Sequence, residues 1–292
     1  MKKLLSLLAI LPLLAFATDN PVEKLELVTD NNPIEKLEKI RPNSNDGINK
    51  SEEANGLRNI TLSKSNSINF NSKFTSSFVA KKQIEAMAKC LSNIGSEINI
   101  VLYTPGGSVA AGQRFFDTLN ALPCKFNTIT LFAASMGYQT VQNLGKRYIV
   151  PSGILMSHRA FVSGLAGEID GELESIFSLL KTNVNELDKI ASKRVGIELK
   201  EYKELIRDEL WMTGHEAVSM KHADELVLVK CDSTLQGTYI DTVSTMFGPL
   251  DVEFAQCPVI TGILSVRRGS RKARAEVIDM YQNIANHIKT EL

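Results

Sequence analysis

Ser135 stands in the run Ala133-Ala134-Ser135-Met136-Gly137, between an apolar, β-branched stretch and an amphipathic helical pattern. A hydroxyl at such a strand-to-helix turn, crowded by small residues, is open to a substrate. The helix start behind it turns free backbone N–H groups forward. Further along, Ile154-Leu155-Met156-Ser157-His158 ends in an imidazole. Histidine is the side chain suited near neutral pH to take the proton of a hydroxyl that attacks a carbonyl. Upstream, Thr104-Pro105-Gly106-Gly107-Ser108 closes an apolar run. Two glycines there let main chain approach a ligand closely and point N–H groups at an oxyanion. The chemistry these residue types could share is acyl transfer. Each alone has a plainer reading: a small residue between helix and strand, a packed histidine, a turn.

Taken together, the pieces are specific. Thr-Pro-Gly-Gly-Ser-Val-Ala-Ala-Gly (104–112), Ala-Ala-Ser-Met-Gly (133–137) and Pro-Ser-Gly-Ile-Leu-Met-Ser-His-Arg (151–159) resemble the proteolytic subunit of Clp protease. The likeness covers roughly residues 57–230. It includes a long helical pattern after the histidine and the stretch Trp211-Met212-Thr213-Gly214-His215-Glu216-Ala217. It implies Ser135 as nucleophile, His158 as general base, and an oxyanion held by the N–H groups of Gly107 (with Gly106 next to it) and Met136. The implied architecture is an α/β fold of the ClpP/crotonase type, a spiral of mostly parallel β-strands with surrounding helices. Ring-like self-association and the absence of a cofactor are also implied. The third triad member is expected in the acidic residues ahead of Trp211: Asp208, with Glu209 and Glu204 as alternates, or none. A lysine base, as in the similar signal peptide peptidase A, would fall on Lys146, which is less well placed than His158.

The elements that must position these residues follow from periodicity. Strands are expected at Asn59–Leu62, Ile98–Tyr103, 127–132, Tyr148–Val150 and Leu226–Val229. Helices are expected at Phe78–Leu91, with Val79, Ile84, Met87, Ala88 and Leu91 on its inner face, and at Ala110–Leu122, with Phe115, Phe116 and Leu119 in the core. Others follow Ser135, run from Gly167 to Arg194, cover Leu199–Asp208 and start at Thr213. The Gly167–Arg194 pattern is long enough to protrude or to mediate self-association. Strand–helix alternation predicts a mostly parallel sheet.

The chain has 292 residues, 43% of them hydrophobic, enough for one large domain or two small ones. Its 33 basic and 33 acidic residues cancel, so no global field argues for nucleic acid. Met1-Lys2-Lys3, the apolar Leu4–Leu14 and Ala15-Phe16-Ala17 read as a cleavable signal peptide over residues 1–17, too short an apolar run for a good membrane span. This predicts a periplasmic or secreted protein. Residues 18–56 are polar, carry Asn20–Glu26 again as Asn32–Glu38, and read as a disordered leader. Four cysteines, Cys90, Cys124, Cys231 and Cys257, permit two disulfides. Nearest-neighbour pairing is expected, with buried free thiols as the alternative. No Cys/His cluster favours zinc, and no Gly-Lys-Ser/Thr loop holds a phosphate.

Residues 231–292 form a C-terminal extension whose basic stretch, Arg267 to Arg274, is expected to be a solvated helix face, with a membrane-surface contact as the minority reading. An exported chain argues against an ATPase partner. The expected function is therefore a serine endopeptidase acting on peptides or unfolded segments. An inactive scaffold or binding protein of the same fold, or a membrane-associated peptidase similar to signal peptide peptidase A, is the alternative, and coenzyme A thioester chemistry ranks below these.

Overall fold

The computed structural model describes residues 57–161 and 169–279. The signal peptide and leader expected at 1–56 lie outside the described residues. Six strands run parallel, side by side: β1 (Arg58–Leu62), β7 (Glu225–Cys231), β5 (Arg147–Ser157), β4 (Lys125–Ala134), β3 (Glu97–Thr104) and β2 (Ser67–Phe70). A seventh, β6 (Leu210–Thr213), lies antiparallel on the C-terminal half of β5. Helices α1 (Ser76–Ser92), α2 (Val109–Ala121), α3 (Met136–Asn143), α4 (Glu174–Val195), α5 (Leu199–Leu205) and α6 (Gly214–Ser219) complete this α/β architecture. Among the described residues no helix is long and apolar enough to cross a membrane.

Strand β3 shows why the sheet is central. Ile98, Ile100 and Leu102 enter one core cluster, with Phe70, Phe115 and Tyr138. Val101 enters another, with Leu62, Ile129 and Val227. Successive side chains point to opposite faces, so a continuous apolar run requires both faces to be covered, as in a parallel sheet. Local chemistry sets the helix starts. Thr75 caps α1 through Phe78 N–H, Ser108 caps α2 through Ala111 N–H, and Thr213 with Glu216 forms a capping box on α6.

Register is what gathers the candidate residues. The stretches expected as separate at Tyr148–Val150 and Ile154–Ser157 form one strand through Pro151-Ser152-Gly153. The β4–β5 ladder slips between Thr130 and Phe132. A Cβ on Gly153 would meet Thr130 O at 2.7 Å, so this irregularity needs glycine. After the slip Ala134 lies opposite Met156, and Ala133 lies opposite Thr104 on the other side. Ser135, His158 and the Gly106-Gly107 loop therefore leave the sheet at one edge.

Three expectations change. Helix α1 buries Val79 as expected, together with Lys82, Ala86 and Cys90, and turns out the rest of the face expected inward: Ile84 is 63% exposed, Met87 43% and Leu91 58%. Its inner face is held by Val79, Ala86 and Cys90 in the core and by the Cys90–Cys124 disulfide. Helix α4 begins at Glu174 behind a π-helical turn, Ile169–Leu173. Only its C-terminal half is buried, through Leu187, Asp188, Ala191, Ser192 and Val195, while Phe177 and Leu179 are exposed. The C-terminal extension is a meander of β8 (Thr238–Thr245), β9 (Gly248–Ala255) and β10 (Ser265–Arg268), antiparallel throughout. Arg267 and Arg268 lie on β10, and Arg271, Lys272 and Arg274 on the helical residues 271–279.

Both expected disulfides are formed, Cys90–Cys124 and Cys231–Cys257, closing sequence separations of 34 and 26 residues. The second ties the end of β7 to the segment after β9. Each contributes about 3–4 kcal/mol by restricting the unfolded chain in the loop-entropy model.

Candidate active site

Strand β4 ends at Ala134 and helix α3 starts at Met136, leaving Ser135 alone to make the turn. It does so at φ 57 and ψ −115, a conformation rarely adopted by residues other than glycine. The turn is clamped on both sides: Ser135 N–H donates to Met156 O at 2.9 Å, and Gln139 N–H donates to Ser135 O at 3.2 Å. Small neighbours are required. A Cβ on Gly137 would meet Thr104 Cγ2 at 2.7 Å, and one on Gly112 would meet Met136 Cγ at 2.3 Å. The helix, the strand and α2 thus close around the serine only with these residue types.

The Pro-Gly-Gly loop lies directly against this turn. A Cβ on Gly106 would be 2.6 Å from Ser135 Cβ and 2.9 Å from Met136 N. The loop is anchored from beneath, by Phe74 N–H to Gly106 O and Ser108 N–H to Phe74 O, both 2.9 Å. Gly106 N–H donates to Thr104 Oγ1 at 3.1 Å. It is therefore occupied, and the amide the loop can offer a ligand is that of Gly107. Gly107 sits at φ 142, against the Phe74 main chain. Met136 is the first residue of α3, so its N–H has no acceptor within the helix. Of the three residues expected to hold an oxyanion, Gly107 and Met136 keep donors without acceptors among the described residues, and Gly106 serves close approach.

Ser135 and His158 line one cleft, together with Gln139, Val184, Leu187 and Asp188. Among the described residues no direct hydrogen bond joins the Ser135 hydroxyl to the His158 ring. Such contacts often tighten only when substrate is bound. The ring stacks loosely on Phe161, with centroids 6.4 Å apart.

The expected orienting carboxylates are elsewhere. Asp208 has a side chain 77% exposed and accepts from Arg207 Nε at 3.0 Å; it does not line the cleft. Arg207 also binds Glu204. Each carboxylate has solvent and a guanidinium to satisfy it, so nothing draws either toward His158. Glu209 is differently placed. The β5–β6 ladder ends at Ser157 opposite Leu210, which puts Glu209 one step beyond, across from His158. Its backbone is left-handed, at φ 65, and its carboxylate accepts from Trp211 Nε1 at 3.0 Å. Lys146 faces another cavity, with Asn127 and Arg194.

Asp188 was not anticipated. It is 6% exposed, and burial pushes its carboxyl up to about 6 against the pull of Lys203 and Arg159. A signal existed: it interrupts the apolar stripe Val184, Leu187, Ala191 of α4 with an acid. Two other buried groups are structural. His222 Nδ1 lies 2.7 Å from Tyr138 Oη, and burial holds its ring neutral with a pKa of about 3. Ser157 Oγ lies 2.9 Å from Tyr202 Oη beneath His158.

A roomier cavity between α1 and the extension is lined by Lys64, Lys81, Lys82 and Lys89 with Glu85 and Asp241, and its one serine, Ser67, donates to Ser63 O at 2.7 Å. Among the described residues no three or more of His, Cys, Asp and Glu are placed to hold a metal.

The family model described as Clp protease matches residues 51–229. An ATP-dependent Clp protease proteolytic subunit of Streptococcus pneumoniae (strain P1031) is 32% identical over 136 residues, 45% of this chain and 68% of that protein. The subunit of Streptococcus pyogenes serotype M5 (strain Manfredo) is 31% identical over the same shares.

Proposed function

The chain belongs to the Clp protease family and is a serine-type peptidase; on that premise we propose that it is an exported endopeptidase that cleaves peptides or unfolded segments without an ATPase of its own. Ser135 is the nucleophile and His158 the general base. The observation that carries the assignment is the pressing of the Gly106-Gly107 loop onto a strained Ser135, with the N–H groups of Gly107 and Met136 lacking acceptors among the described residues.

The chemistry runs as acyl transfer. Ser135 Oγ adds to the scissile carbonyl carbon while His158 takes the hydroxyl proton. The carbonyl oxygen becomes an oxyanion between Gly107 N–H and Met136 N–H. The C–N bond then breaks, and His158 returns the proton to the leaving amine. Water, deprotonated by the same ring, adds to the ester and releases the acid and Ser135. For the residue that orients His158, the register favours Glu209 over Asp208.

Export rests on the Leu4–Leu14 apolar segment and its small-x-small end. Two disulfides suit an oxidising compartment, where ATP is not expected. The exposed stripe Ile84, Met87 and Leu91 on α1 supports contact with a second copy of the chain.

The test is labelling by a fluorophosphonate probe. Mature protein should label, and Ser135→Ala should not. Equal labelling of both removes Ser135 from the reaction. Among the described residues no carboxylate is bonded to the His158 ring, which favours an inactive scaffold as second reading, and labelling with peptide turnover would eliminate it.

A further inference from the structure

We propose that the cleft beside Ser135 selects a cationic side chain, lysine or arginine, on the substrate residue whose carbonyl is attacked, and that Asp188 with Gln139 makes the selection. The proposal rests on the peptidase reading above.

The cleft wall is apolar where α4 supplies Val184 and Leu187. Asp188 follows on the same helix face, three to four residues being one turn. Among the described residues no donor reaches its carboxylate within hydrogen-bond or ion-pair distance, although it is 6% exposed. Its two nearest cations are engaged elsewhere. Lys203 Nζ donates to Asn185 Oδ1 at 2.5 Å, and Arg159 donates to the Lys203 carbonyl at 3.1 Å. Its oxygens are not among the fully buried atoms without a partner, so the carboxylate opens on the cleft, where a cation can complete it.

A second, independent group has the same deficiency. Gln139 lines the cleft, is 9% exposed, and its amide oxygen has no hydrogen-bond donor. Two acceptors without donors, beside an apolar wall and next to a nucleophile, define their ligand. It needs an aliphatic stem to lie on Val184 and Leu187, a positive head for Asp188, and N–H groups to spare for Gln139. Lysine and arginine have all three. A leucine or phenylalanine in the same place would leave both acceptors dry and unpaired, the arrangement that discriminates most strongly against a wrong side chain.

The experiment compares otherwise identical fluorogenic peptides ending in Lys, Arg, Leu or Phe before the reporter amide, with full-length mature protein. The expected result is a kcat/KM for Lys and Arg about ten- to hundredfold above Leu, the range of one charge-assisted hydrogen bond. Asp188→Asn should reduce the Lys-to-Leu ratio by about tenfold or more. Benzamidine should slow fluorophosphonate labelling of the wild type, and lose that effect in Asp188→Asn, which reads the pocket without needing turnover. Preference for Leu or Phe with Ser135 still labelled overturns this proposal and leaves the peptidase reading standing. An Asp188→Asn loss shared equally by all four peptides also overturns it, because Asp188 would then act through His158. Absence of both turnover and labelling overturns the peptidase reading itself.

Discussion

Gly106 and Ser135 are in contact so close that a single methyl group cannot be added between them: the added Cβ would sit 2.6 Å from the Ser135 Cβ and 2.7 Å from Ala134 O. Both positions also have positive φ, 92 at Gly106 and 57 at Ser135. The Gly106-Gly107 loop and the Ser135 turn are thus two surfaces of one contact. Moving either one misplaces Gly107 N–H relative to the carbonyl that Ser135 would attack.

Gly106→Ala should therefore lower kcat/KM by about a hundredfold, the scale of a 1 Å misplacement of reacting groups. Circular dichroism should show the fold retained. Turnover near wild type would mean that the loop can withdraw freely, and the assignment of the oxyanion to Gly107 would be lost.

Asp208→Asn and Glu209→Gln, measured side by side, identify the residue that orients His158. Glu209→Gln should lower kcat by about tenfold or more, and Asp208→Asn by less. The reverse order of effects would return the role to Asp208.

The burial of Asp188 sets a stability trend with pH. Its carboxyl is held at about 6, above the ordinary 3.8, so the folded state binds this proton more tightly than the unfolded chain does. Stability contributed at this position falls as pH rises between those two values, and the full penalty remains above them. The charges around it are Lys203 and Arg159, with His158 across the cleft. Asp188→Asn should raise the Tm near about pH 7.5. The gain should vanish near about pH 3, below both values, where the wild-type carboxyl is protonated in the folded state and largely so in the unfolded one. Identical melting of the two proteins at both values would show that the carboxylate is solvated after all.

The sequence was readable where the signal is local. Phe115, Phe116 and Leu119 face the core as their helical spacing predicts, and Thr213 and Glu216 form the cap that their separation announces. The meander at the C-terminus was not read from the sequence, although Leu250, Val252 and Phe254 alternate with polar residues along β9 and all three are buried. That period-two pattern is short, and β8 beside it alternates less clearly. The inner face of α1 was not legible. Ile84, Met87 and Leu91 make a good apolar stripe, yet Cys90 and its bridge to Cys124 decide which side turns inward. A cross-link between distant positions overrides a hydrophobic preference worth a few kcal/mol.

By itself the order of residues determined the parallel α/β sheet, the small-residue turn at Ser135, the Gly106-Gly107 loop and the presence of His158 at a strand end. These depend on residue type and on neighbours a few positions away. Only the tertiary structure decided which amide of the loop stays free, that Asp208 turns to Arg207 instead of the cleft, and that Asp188 enters it unpaired. Those outcomes depend on which atoms of distant elements compete for the same donors. Packing of α4 and α5 against the sheet edge sets that competition, and no spacing along the chain encodes it.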